Sequence, residues 1–197
     1  MRLICSDLEG VWFPEVWITV AERTGIKELR LTTRDIRDYD ELMNYRIRIL
    51  EREKLRISDI QKIIGGMAPK EGAVATIALI RSQAPFVMVS DTFIQFAQPI
   101  LPMLGQPLLL CHRLVTDEQD FITGYELRQP DPKRNTVKAF QSLNYEVTAI
   151  GDSYNDISML QQADYPILFN PPLSVAEEFP EIARVTCYHD LMRKLLL

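Results

Sequence analysis

Short apolar runs alternate with longer amphipathic stretches along most of this chain. Leu3-Ile4-Cys5, Phe86-Val87-Met88-Val89 and Val147-Thr148-Ala149-Ile150 are bounded by polar or turn-forming residues. Runs of that length predict buried strands. Residues 85–90 and 146–151 frame two of these strands, 166–169 reads as a last clear one before Pro171-Pro172, and 185–187 as a further short one. Helices are predicted over 72–81, over 92–103 with a bend or end at Pro99 and Pro102, and over 132–142 with Pro132 in the first turn. Two more are predicted over 156–163 and 190–196. Residues 108–115 and 121–127 flank the turn Asp117-Glu118-Gln119-Asp120 and predict a β-hairpin. Strand and helix in alternation imply the α/β class, a three-layer Rossmann-like core around a parallel sheet.

The stretch between the first strand and this pattern reads differently. A helix is predicted over 15–24, stopped by Gly25, and Thr33 is placed to cap another start. Residues 38–54 carry the longest helical pattern, with Leu42, Tyr45, Ile49 and Arg52 on one side and acids preceding bases. Ser58 is the expected cap of a helix over 59–64, ended by Gly65-Gly66. No strand signal interrupts these helices. The pattern implies an α/β core of residues 1–14 and 71–197 and an inserted helical cap of residues 15–70.

Composition narrows the classes of function. The 197 residues are 47% hydrophobic and 25% charged, ordinary for a soluble globular chain. A net charge of −5 gives no general attraction for nucleic acid or for an anionic membrane. Cys5, Cys111 and Cys187 are too few and too scattered for a disulfide framework. The region 101–110 is rich in Leu but is broken by Pro102, Gly105 and Pro107, so no stretch reaches membrane-spanning length. With no leader-like start, the expected location is the cytoplasm.

The polar residues at the ends of the apolar runs change the picture most. The first strand leads into Asp7-Leu8-Glu9-Gly10, the second into Ser90-Asp91-Thr92, the third into Gly151-Asp152-Ser153-Tyr154-Asn155-Asp156, and Asp131-Pro132-Lys133 opens a helix. In open α/β sheets the carboxyl ends of the strands are where ligands bind. Acids gathered there are costly unless a cation sits among them. An acid, a hydroxyl, a lysine and an acid pair, in that order, resemble the four motifs of the haloacid dehalogenase superfamily of aspartate-dependent phosphohydrolases. The resemblance runs the whole chain. Its one departure is Glu9, where the family usually has Asp. With Pro14-Glu15 and Tyr39-Asp40, that departure is similar to a subgroup that acts on phosphoserine and also passes the phosphoryl group to homoserine.

The resemblance implies a role for each residue. Asp7 would be the nucleophile, forming an aspartyl-phosphate. Glu9 would protonate the leaving alkoxide and then deprotonate the incoming acceptor. Mg2+, a hard cation suited to oxygen ligands, would be held by Asp7, Asp152 and the backbone carbonyl of Glu9. Asp156 would hold a metal-bound water, orient Lys133, or cap its own helix. Lys133 and the Ser90 hydroxyl would hold the phosphoryl group, and backbone N–H groups at the start of the helix expected after Asp91, itself a substrate-binding candidate, would add to this. Beyond it, Glu15 would take the substrate ammonium and Arg46 the carboxylate, with Arg48 as the rival arginine. Asn155 would touch phosphate or substrate. His112 and His189 lack metal-ligand spacing and read as structural. A receiver-like phospho-acceptor switch also uses acids, a hydroxyl, a lysine and Mg2+. It carries its acceptor on a mid-chain strand without a helical insert, so the enzyme reading is preferred, with another small phosphate ester as the alternative substrate.

Overall fold

A computed structural model describes residues 1–32, 35–36 and 38–195. Strand β1 (Arg2–Ser6) is followed by helices α1 (Val16–Thr24), α2 (Tyr39–Arg52) and α3 (Ile57–Gly65), with a 3₁₀ turn at Lys27–Arg30. The α/β pattern then resumes with α4 (Ala73–Gln83), β2 (Phe86–Phe93), α5 (Ile94–Ala97), β3 (Leu108–Thr116) and β4 (Ile122–Glu126). It continues through α6 (Pro132–Ser142), β5 (Glu146–Gly151), α7 (Ile157–Gln162) and β6 (Tyr165–Phe169) to α8 (Leu173–Glu178), β7 (Ala183–Val185) and α9 (Tyr188–Leu195). Among the described residues the strands form one sheet in the order β4-β3-β2-β1-β5-β6-β7, parallel except for the antiparallel β3–β4 hairpin.

Side-chain alternation explains the three layers. Leu3 and Cys5 of β1 join Val87, Val89, Val147 and Ala149 on one face, against Val137 of α6 and Leu160 of α7. Ile4, Met88 and Ile150 point the other way, into a core shared with Ile77 of α4, Leu191 of α9 and the helices that come after β1. β1 is therefore buried on both faces, as the centre of a parallel sheet must be.

The structure corrects several sequence expectations. No helix begins at residue 92: β2 runs on to Phe93, its pairing with β3 slips between Val89 and Phe93, and only the single turn α5 and a 3₁₀ turn at Leu101–Leu104 come next. Pro99 and Pro102, which cannot donate to a helical ladder, keep that segment from becoming one helix. Ser90-Asp91-Thr92 therefore sit in a bulge inside the strand rather than beyond its end, and no helix N-terminus directly after Asp91 is available to bind a phosphate. Helix α3 starts at Ile57, not after Ser58. Arg52, expected on one side of its helix with Leu42, Tyr45 and Ile49, is exposed and pairs with Glu28 and Glu53. Helix α8, between Pro172 and Phe179, has no counterpart among the expected elements. Thr33 and Leu196 lie outside the described residues.

The hairpin turn reaches the inserted helices. The Asp120 carbonyl accepts from Ile57 N–H at 3.0 Å and its carboxylate from Ser58 N–H at 3.2 Å. Helix α3 is thus capped by a residue distant in sequence. Tyr125 Oη also donates to Asp40 of α2. Asp120→Ala is expected to destabilise the protein by about 1 kcal/mol, the usual worth of an N-terminal cap. In thermal unfolding that should lower Tm by roughly 2–4 °C. An unchanged Tm would show that the cap contributes nothing.

Candidate active site

The carboxyl edge of the sheet is built from three interlocked loops. Asp7 N–H donates to the Ile150 carbonyl at 2.9 Å, fastening the end of β1 to β5. The chain then coils, with Trp12 and Phe13 N–H both donating to the Leu8 carbonyl, and Trp12 Nε1–H donates to Ser6 Oγ at 2.7 Å. Gly10 has φ +79°, and a Cβ there would stand 2.4 Å from the Asp152 carboxylate. Only glycine lets the two loops approach this closely. Lys70, on the strap that returns from the inserted helices, donates its ammonium to the Gly10 carbonyl and its backbone N–H to the Trp12 carbonyl at 3.0 Å.

Lys133 stands at the centre. Its ammonium, 2% exposed, lies 2.7 Å from Asp156 Oδ1, 3.1 Å from Asp7 Oδ1 and 3.1 Å from Asp91 Oδ2. Burial opposes its charge, but Asp156, Asp7 and Asp91 outweigh that and hold its pKa well above the ordinary lysine value. Asp156 makes two sets of contacts. Its Oδ1 orients Lys133, while Oδ2 accepts from Asp152 N–H at 2.8 Å and Ser153 N–H at 3.2 Å, capping the turn before α7. Its oxygens are therefore already occupied.

Asp7 and Asp152 are not so satisfied. Burial, with the charges of Asp156, Asp152 and Asp91, pushes Asp7 well above the usual carboxylate range in spite of Lys133. Burial and Asp156 push Asp152 up to about 7. Buried Asp7 Oδ1 has no hydrogen bond of good geometry, although it is within ion-pair distance of Lys133. Among the described residues, oxygens of Asp7, Asp152 and Asp156 lie within 4.8 Å of one another. An all-oxygen donor set with an orphaned buried oxygen and an excess of negative charge fits a hard dication such as Mg2+.

Glu9 parts from Asp7. Its Oε2 accepts from Val16 N–H at 2.8 Å, at the start of α1, and its carboxylate is not in the acidic group. Burial and neighbouring Glu15 push it up to about 7, against the opposing effects of Val16 N–H, the Thr92 hydroxyl and Arg46. Arg46 is buried, whereas Arg48 lies outside the buried set. The Arg46 guanidinium lies 4.4 Å over the Trp17 ring and donates to the Leu31 carbonyl at 2.7 Å; its Nε is left unpaired. Burial pulls it down to about 10, while Tyr39, Glu9 and Glu15 favour its charge. Glu15 is exposed at the entrance of α1, and its charge is felt by Glu9, Arg46 and Asp152. Ser90 is buried in the bulge, and Asn155 Nδ2 donates to Asp91 Oδ2 at 2.8 Å.

The structure thus gathers Asp7, Asp91, Lys133, Asp152, Asn155 and Asp156 into one network, with Glu9, Glu15 and Arg46 forming a second, electrostatically linked group. Sequence reasoning assigned no role to Thr92, Lys70 or Tyr39 and did not disclose the reach of His112. Thr92 adjoins a motif and was within reach. Lys70 is an ordinary-looking lysine in a loop, and nothing in its spacing distinguishes it.

This fold, with an aspartate, a bulge serine, a lysine and paired aspartates at one sheet edge, defines an aspartate-centred hydrolase. Residues 4–164 match the haloacid dehalogenase-like hydrolase family, and the chain belongs to it. The chain is 51% identical to the phosphoserine phosphatase ThrH of Pseudomonas aeruginosa, over 100% of this chain and 96% of that protein. It is 50% identical to a phosphoserine phosphatase of Pseudomonas syringae pv. tomato, over 100% of this chain and 83% of that one. Among solved structures, a phospho-aspartyl intermediate analogue of phosphoserine phosphatase shares the fold, with a TM-score of 0.77 at 20% identity over 98% of this chain and 97% of that one. No described helix is long and apolar enough to cross a membrane.

The acidic site can be tested without substrate. A carboxyl whose folded pKa is raised favours the fold while protonated and loses that contribution as pH rises. For Asp152 the loss runs from about pH 4, its ordinary value, to about 7. In EDTA, Asp152→Asn should therefore melt higher than the parent, by a margin that opens across that range and is full above it. Mg2+ should raise the parent's Tm by mass action and leave the variant's nearly unmoved. Equal Mg2+ stabilisation of both proteins would remove Asp152 from the metal site.

Proposed function

We propose that this chain is an Mg2+-dependent phosphoserine phosphatase that works through an aspartyl-phosphate on Asp7 and also transfers the phosphoryl group to homoserine. The observation that carries the substrate is Arg46: a buried guanidinium with an unpaired Nε, beside Glu9 and Glu15. A buried guanidinium calls for a carboxylate, and the exposed Glu15 calls for a cation. Phosphoserine has both, at the end remote from its phosphate. The naming of relatives 50% and 51% identical over the whole chain supports the same substrate. Residues 15–70 would form the cap that encloses it, and a reducing cytoplasm suits the three free cysteines.

In the first step an Asp7 carboxylate oxygen attacks phosphorus. The new oxygen–phosphorus bond forms as the phosphorus–serine oxygen bond breaks, and protonated Glu9 delivers its proton to the departing alkoxide. A carboxyl with a pKa of about 7 is poised to do this near neutrality and then to take a proton back. Lys133 and Ser90 hold the phosphoryl oxygens, while Asp156 and Asp91 keep the ammonium in place. Asp7 and Asp152, with the Glu9 carbonyl, would hold Mg2+, whose charge would offset the negative charge that phosphate brings to an already acidic site. In the second step Glu9 takes the proton of water or of a bound alcohol, whose oxygen attacks phosphorus and frees Asp7.

Arg46→Ala should reduce kcat/KM for phosphoserine by roughly tenfold to a hundredfold, the worth of a charge-assisted contact. It should spare an aryl phosphate, which has no carboxylate to lose. Equal losses on both substrates would make Arg46 structural, and a selective loss in Arg48→Ala instead would move the carboxylate clamp to Arg48.

Homoserine presents the ammonium and carboxylate of serine with one more methylene before its hydroxyl, so the same anchors would seat it over Asp7. A seated acceptor competes with water because its attack is effectively unimolecular. Phosphorus NMR of phosphoserine turnover with rising homoserine should show phosphohomoserine growing at the expense of inorganic phosphate. Glu9→Asp, one methylene shorter, should shift the partition toward water. Inorganic phosphate alone at saturating homoserine would leave a plain phosphatase.

A further inference from the structure

We propose that His112 is a positioning residue for the phosphoryl-binding lysine: its Nε2–H steadies Asp91, and Asp91 in turn holds Lys133 and Asn155. The inference deepens, and rests on, the reading of Lys133 as the group that grips the transferring phosphoryl.

His112 lies on β3 directly opposite Phe93, the residue where pairing resumes after the Ser90-Asp91-Thr92 bulge. It is 4% exposed, with Tyr39 and Phe93 as neighbouring rings at 6.5 and 6.3 Å. Nδ1 accepts the Arg128 backbone N–H at 3.1 Å, so the lone pair is there and the ring proton is on Nε2. Nε2 faces Asp91 Oδ1 at 3.7 Å. That is a charge–dipole contact about half an ångström beyond hydrogen-bond range, and long contacts of this kind at a site tighten when it is loaded.

The two oxygens of Asp91 divide their work. Oδ1 faces His112, while Oδ2 accepts from Asn155 and lies 3.1 Å from the Lys133 ammonium. The Asp91 side chain is 30% exposed, unlike those of Asp7 and Asp156, so water competes for it. Without a fixed donor behind it, this carboxylate would turn outward. Lys133 would then be drawn toward Asp156 and away from the phosphoryl position. Arg128 closes the frame. Its backbone fixes the imidazole, and its guanidinium donates to the Pro132 carbonyl at 3.0 Å and to Thr136 Oγ at 2.8 Å. The residue that sets the histidine proton therefore also grips the first turn of α6, from which Lys133 projects. Although burial works against it, the Asp91 charge is favoured by Lys133, His112 and Asn155 together.

The test uses His112→Gln, His112→Asn and His112→Phe in the full chain. A glutamine amide reaches the Nε2 position and can still donate to Asp91; asparagine stops short, and phenylalanine fills the space without a donor. With phosphoserine and Mg2+, H112N and H112F should lose about tenfold in kcat with KM changed far less, while H112Q stays near the parent. A role in packing alone would not separate Gln from Asn. On an Asp91→Asn background, removing the imidazole should cost nothing more, because the two act as one unit. Losses that multiply, or an H112N indistinguishable from the parent, would overturn the proposal. Ring-nitrogen chemical shifts of the unmodified protein supply a readout independent of substrate: the proton should be on Nε2, and a proton on Nδ1 alone would overturn it too. If the parent releases no phosphate from phosphoserine, the phosphoserine reading has failed instead, and the same variants are compared on an aryl phosphate.

Discussion

One buried ammonium holds this site together. Lys133 is wedged among Asp7, Asp91 and Asp156, with Asp152 close behind, and its ammonium is ion-paired to the first three. Burying one of these carboxylates unpaired would be prohibitive, and one lysine does not balance them all. The imbalance is visible in Asp7 and Asp152, both held above their ordinary range. A dication among those acids would relieve it, and the combined positive charge could then receive a phosphate dianion. On the proposed reading, the folding problem of a charged interior and the catalytic problem of binding phosphate would have one solution.

The sheet makes that crowding possible by bringing separate loops to one edge. β1 leads to Asp7, β5 to Asp152 and Asp156, and the bulge in β2 carries Ser90 and Asp91. Gly10 removes the last steric obstacle, since any Cβ there would strike Asp152. The inserted helices bring a second pole. Glu9 caps α1 and feels the charge of Arg46 on α2, so the group proposed to move protons is tied to the group proposed to recognise the substrate.

Much of this was legible in the sequence because it is local. The apolar runs at residues 3–5, 86–89 and 147–150 are central strands, Pro132 opens a helix where a helix-starting proline belongs, and Gly25 ends one in a left-handed conformation. The acids stood out because they sit just after those runs. The features that escaped depend on contacts between distant segments. The extension of β2 through Asp91 to Phe93 is set by its pairing with His112, not by any local preference, and so a helix was expected there. Helix α3 is capped by Asp120 from the hairpin, which no pattern near Ser58 discloses. The contact between His112 and Asp91 escaped because the two lie on different strands, apart along the chain but at ion-pair distance in space.

The mechanism turns on whether a carboxylate, rather than water, makes the first attack on phosphorus. Acid-quenching the enzyme during phosphoserine turnover and reducing with borohydride converts an acyl phosphate into an alcohol, which peptide mass spectrometry can locate. The reduced residue is expected at Asp7 and nowhere else, and it should be lost when phosphoserine is omitted. Full-rate phosphate release from an enzyme whose Asp7 peptide is never modified would contradict covalent catalysis through Asp7.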